Sequence, residues 1–90
     1  MAAKTFTMTD GSRTAGQALD ADSSVLKITG TLQEGTVRVF ISEIDGDYAI
    51  AYESDGIPPK PLFFPVPSGW YVACQVVDIL GTVNVKVVVQ

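Results

Sequence analysis

From Val25 onward, apolar and polar side chains alternate in long runs. In "VLKITGTL", Leu26 and Ile28 fall on one side, Lys27 and Thr29 on the other. In "TVRVFIS", Val37, Val39 and Ile41 alternate with Thr36, Arg38, Phe40 and Ser42. The same period returns at Tyr48, Ile50 and Tyr52, at Trp70, Val72, Cys74 and Val76, and at Val83, Val85, Val87 and Val89. Successive side chains of an extended strand point to opposite faces, so this alternation predicts half-buried strands. Gln33-Glu34-Gly35 and Ile79-Leu80-Gly81 read as turns between them. "TAGQALDADSSVL" holds helix formers, but Gly16 and the missing helical period allow no more than one turn. Strands of this length separated by turn signals predict an all-β chain: a single small β-sandwich, Ig-like or jelly-roll-like, of 6–7 strands. Its inner faces are expected from Leu26, Ile28, Val37, Val39, Ile41, Ile50, Val72, Cys74, Val76, Val83, Val85 and Val87.

Two segments break the pattern. Residues 1–23 are rich in Thr, Ser, Ala, Asp and Gly, with Phe6, Met8 and Leu19 as the exceptions. They predict an extended N-terminal arm with a short edge strand near Lys4–Met8, leaving residues 24–90 as the sandwich domain. So little apolar content does not fold alone, and such an arm is expected to be mobile until a partner surface orders it. Residues 55–69, "DGIPPKPLFFPVPSG", hold all the prolines. Proline lacks an amide donor, so this segment is a stiff crossover with an edge strand at Leu62–Phe64 rather than a central strand.

The one acidic run, "EIDGDY" at 43–48, sits between two period-two segments. Asp45-Gly46 is a favoured pair for a tight hairpin. A helix–loop–helix calcium loop needs ligands spread over about twelve residues and a closing Glu, whereas here Tyr48, Ala49 and Ile50 follow at once. A general acid–base pair on a solvated turn has nothing to shift either pKa. Histidine is absent and Cys74 is the sole cysteine. That removes the usual base for a nucleophile, the common transition-metal ligand and any internal disulfide. Catalytic, cofactor and metal sites are all expected to be none, and Cys74, among valines, reads as a small core hydrophobe.

The charge totals narrow the partners. Net charge is −4 over 90 residues, and the basic residues are scattered singly. This excludes the basic footprint that nucleic acid requires. No apolar run is long enough to span a membrane as a helix, and the start lacks the apolar centre of a signal peptide. A chain this short buries only about 60–65% of its unfolded surface, so a partner commonly supplies further burial.

The order of Leu26, Ile28, Gly30 and Leu32, then Gly35 with Thr36 to Ser42, then Asp45, Gly46 and Tyr48, then Pro67, Gly69 and Tyr71, and finally Thr82 to Val89, resembles a small all-β module of tailed bacteriophage virion proteins. The arm and the proline crossover depart from that pattern. The resemblance implies a virion structural role, as a capsid decoration (cement) protein or a head fibre. The implied location is the capsid surface after assembly in the host cytoplasm. The implied partner is the major capsid protein or another virion protein, with no nucleic acid, membrane or cofactor. Candidate partner-binding residues are Lys4, Phe6, Met8 and Leu19 on the arm, with Phe40, Phe63 and Phe64 on the domain. Phe40 and Val88 fall on the polar register of their strands, and one of the adjacent Phe63 and Phe64 must point outward. Such a patch favours a homo-oligomer, first of all a trimer. The alternative is a receptor- or carbohydrate-binding module using Tyr52, Trp70 or Tyr71. A sandwich interaction module of a bacterial cell is a further option.

Overall fold

Two strands are far longer than the pattern suggested. β3 covers Ser23–Ser42 and β6 covers Tyr71–Val89, and they pair antiparallel from Leu26 opposite Val89 to Ser42 opposite Tyr71. These and the other elements belong to a computed structural model that describes residues 3–90. The shorter strands are β1 (Lys4–Met8), β2 (Gln17–Ala18), β4 (Ala49–Asp55) and β5 (Leu62–Val66). No helix occurs among the described residues.

A straight strand of 20 residues would run roughly 65 Å, yet the longest dimension of the molecule is 35 Å. Both long strands are therefore bent in the middle, and the sequence shows where. The buried side chains of β3 are Leu26 and Ile28 before the middle, and Val37 and Val39 after it. In β6 they are Val72, Cys74 and Val76, then Val85, Val87 and Val89. In each strand the buried set changes from one parity to the other, which requires an odd number of extra residues at the corner. The β3–β6 register is irregular at Leu32–Thr36, and Asp78 and Gly81 on the facing strand have φ of 54° and 82°. The segments expected to reverse the chain, 33–35 and 79–81, are bulged corners through which the strands continue. A parity change looks the same in sequence whether the chain reverses or bends.

The bend folds one six-stranded sheet into two layers. In the first layer the order is β1, the end of β6, the start of β3, then β5; in the second it is β2, the start of β6, the end of β3, then β4. Their inward side chains form one hydrophobic core, the arrangement of a small sandwich. Gly30 sits on β3 with φ of 115° against Asn84 and Val85 of β6, and a Cβ there would collide with the Asn84 carbonyl.

Of the expected inner positions, Leu26, Ile28, Val37, Val39, Val72, Cys74, Val76, Val85 and Val87 are buried, and Ile41 and Val83 pack against that core. Ile50 is a correction, because it is 51% exposed. The β3–β4 register shifts between Val39, opposite Tyr52, and Phe40, opposite Ile50. Ala51 is the extra residue, so Tyr52 turns to the core and Ile50 to solvent.

The N-terminal region joins the same sheet. β1 pairs with β6 from Lys4 opposite Val89 to Met8 opposite Val85. Phe6, Met8 and Leu19 are core residues. The Thr14 amide donates to the Cys74 carbonyl and the Leu19 amide to the Trp70 carbonyl, each at 2.8 Å. Phe6 and Met8 share a parity, which is what an edge strand needs to close the open side of β6. The first two residues of the expected arm, Met1 and Ala2, lie outside the described residues.

Candidate functional site

The acidic run 43–48 is a loop rather than a two-residue turn, because the last paired residues before it and after it are Ile41 and Ala49. The Tyr48 hydroxyl donates to Asp45 Oδ1 at 2.7 Å, and the Arg13 guanidinium lies 4.4 Å above the Tyr48 ring. Gly16 lies directly under that hydroxyl, where a Cβ would collide with it. The loop is thus clasped onto the 13–16 segment by a cation–π contact and a charge-assisted hydrogen bond. Partial desolvation, then the hydrogen bond and charge of Asp45, hold the Tyr48 phenol above its ordinary pKa of 10.0, against the opposing pull of Arg13. Among the described residues, no group of three His, Cys, Asp or Glu side chains is arranged to hold a metal ion.

Cys74 is fully buried in β6, and burial pushes its thiol up to about 12 from 9.0. The thiolate is the nucleophile, so the native thiol is inert. The unfolded chain loses this proton near pH 9 while the folded chain keeps it. The folded state therefore binds more protons in that window, and stability falls as pH rises from about 9 to about 12. Chemical denaturation across that range, compared with Cys74→Ala, is expected to show a steeper alkaline loss in the parent. Alkylation of the native protein at pH 8 is expected to proceed only through unfolding.

The candidate partner-binding residues separate cleanly. Phe6, Met8, Leu19 and Phe64 are buried. Phe40 is partly buried, across from the fully buried Ala73. Lys4 is engaged with Asp20 at 3.1 Å. Phe63 alone of this set lies open, at 81% exposure. Adjacent strand residues face opposite ways, so once Phe64 and Val66 enter the core, Phe63 must leave it. Of the aromatics in the carbohydrate alternative, Tyr52 and Trp70 pack against the core and Tyr71 is half-buried.

Strand pairing supplies Phe63 with neighbours that the sequence alone did not bring together. Val25 is its cross-strand partner. Thr5, Val88 and Lys27 form the next row across β1, β6 and β3, and Thr7, Lys86 and Thr29 form the row after it. The outward surface of the first layer therefore sets threonines beside Lys27 and Lys86, a small apolar strip and the exposed phenyl ring of Phe63. None of these outward positions holds a carboxylate. Six of the ten acidic residues lie elsewhere, with Glu34, Asp55 and Asp78 around one recess at the corner and Glu43, Asp45 and Asp47 in the clasped loop, while Asp22 adjoins Pro65 at the end of β5. A chain of net charge −4 thus presents one face that is basic. Parity showed which residues point outward, but strand order decides which of them are neighbours.

No family model, no curated protein and no solved structure matches the chain.

Proposed function

We propose that the chain is a non-enzymatic structural protein of a bacteriophage particle, a capsid decoration protein that docks through the Phe63 face onto the major capsid protein or another virion protein. The exposed Phe63 on a basic, threonine-rich sheet carries this reading. A large aromatic in open solvent has hydrophobic area to lose on docking. Lys27 and Lys86 favour an acidic surface and steer the approach. The biological setting rests on the resemblance of the strand and turn order to phage virion modules. One such face per chain is a small contact, and a homo-oligomer, trimeric in the simplest case, would multiply it by avidity.

Co-sedimentation with capsids tests the proposal. Burying a phenylalanine is worth about 1.5–3 kcal/mol, so Phe63→Ser is expected to weaken each contact by roughly 10- to 100-fold. Its thermal midpoint should match the parent, because Phe63 adds little to the core. Lys27→Glu with Lys86→Glu is expected to weaken binding further and to reduce its dependence on salt. Unchanged sedimentation of both variants would remove this face from the particle contact.

A further inference from the structure

We infer that the outer edge of β4 is a strand-addition site for an extended, basic segment of a partner protein. β4 ends the sheet on one side, and among the described residues it makes no backbone hydrogen bond outside the β3 ladder. An edge strand with open amides and carbonyls is a template for another chain unless something guards it. The other edges are short or guarded, and β2 is only two residues long. β5 carries Pro65 at its edge. The Thr5 carbonyl of β1 accepts from Gln17 Nε2 at 3.0 Å, and Lys4 is tied to Asp20. β4 reads Ala49 to Asp55, "AIAYESD", with neither proline nor lysine; the bulge at Ala51 and the acidic Glu53 and Asp55 are its only guards, and Ala49, Ile50 and Ala51 are exposed.

A recess lies at each end of this strand. At the Ala49 end, a largely apolar recess of about 420 Å³ is lined by Ile41, Ile44, Ala49 and Trp70 together with Ser42, Glu43 and Asp47. Trp70 is held firmly there. Its amide donates to the Pro67 carbonyl at 3.3 Å and its carbonyl accepts from Leu19 at 2.8 Å. At the Asp55 end, a recess of about 480 Å³ holds Glu34, Asp55 and Asp78. Arg38 is the basic side chain on the β3 stretch beside β4, and it is spent on Glu53 at 2.6 Å. The edge therefore offers main-chain pairing, an apolar recess at one end and an acidic recess at the other. The segment that fits is extended, apolar at one end and Lys- or Arg-bearing at the other. A second copy of β4 is disfavoured, because two such edges would bring like charges together. The site shares no residue with the Phe63 face, so either assignment can fail alone.

The probe is a synthetic peptide as long as β4, with alternating threonine and valine, lysine first and leucine last, titrated into the intact ¹⁵N-labelled protein. Amide shifts are expected along Ala49–Asp55 and in both recesses. Trp70, the sole tryptophan, is expected to report the same binding by its emission. Glu34→Gln with Asp78→Asn is expected to weaken the lysine-first peptide about fivefold, and to leave a glutamine-first peptide unaffected. Ile44→Ser, on the exposed loop, is expected to weaken both. Shifts confined to β1 or β5, no shifts at millimolar peptide, or equal affinity for a glutamate-first peptide would each overturn the assignment.

Discussion

A chain that lacks residues 1–20 is expected not to fold. The deletion removes β1 and β2 and with them Phe6, Met8 and Leu19, whose exposures are 2%, 2% and 5%. Each is worth about 1.5–3 kcal/mol of burial, or roughly 5–9 kcal/mol together. A domain of 90 residues has a total stability of about 5–13 kcal/mol. The loss also opens the outer edge of β6 along Val85–Val89, leaving a bare valine strand. Circular dichroism and amide dispersion in the proton spectrum check this, with a disordered or aggregated product expected. A cooperative melt close to that of the parent would show that the sheet closes without its first two strands. The composition of this region suggested the opposite outcome, a truncated domain that stays folded. Three apolar side chains in 23 residues look too few for a core, and that reasoning fails because the remaining core is already built and lacks only those three.

Val39→Asp is expected to unfold the protein at neutral pH. Val39 has no exposed surface, and in the second layer it stands between Tyr52 of β4 and Cys74 of β6. Neither cross-strand neighbour is a cation that could pair with a carboxylate. An unpaired buried charge costs several kcal/mol, about 3–5 in measured cases, or forces the group to take up a proton. The carboxyl's folded pKa would rise above its unfolded value of about 3.9. The folded state then binds the extra proton, so the residual stability contributed by this position grows as pH falls toward the unfolded pKa. Urea melts of Val39→Asp and Val39→Asn at pH 7 and pH 4.5 separate this from general acid effects. The difference between the two variants should shrink at the lower pH. An aspartate variant with near-parental stability at pH 7 would mean that water reaches this point of the core.

The inner face was legible wherever a strand kept its parity. Val37 and Val39, or Val85 and Val87, declare themselves by alternation alone, and the structure buries them. Legibility stopped at each added residue. The bulge at Ala51 set Ile50 and Tyr52, which share a parity, on opposite faces. The corners at 33–35 and 78–81 joined what read as separate strands into two long ones. A bulge is a two-body property, because a ladder hydrogen bond is skipped on one strand only in relation to its partner, and no single-chain pattern records the partner. The docking surface shows the same limit. That one of Phe63 and Phe64 faces outward follows from adjacency. That Phe63 does so, next to Val25 and near Lys27 and Val88, follows from β5 pairing with β3, and only the fold reveals it.

The long pairing of β3 with β6 also sets when the molecule can form. One edge of β3 pairs with β4 and β5, but the other finds its partner only in β6, and Lys4–Met8 wait for the far end of that same strand. During synthesis, β3 leaves the ribosome with one edge unsatisfied; the second layer cannot close before residue 77 has cleared the exit tunnel, nor the first before residue 89. Contacts so distant along the chain make folding slow. Until β6 emerges, the nascent chain carries unpaired strand edges and uncovered valine faces, the features that make a folding chain prone to aggregate.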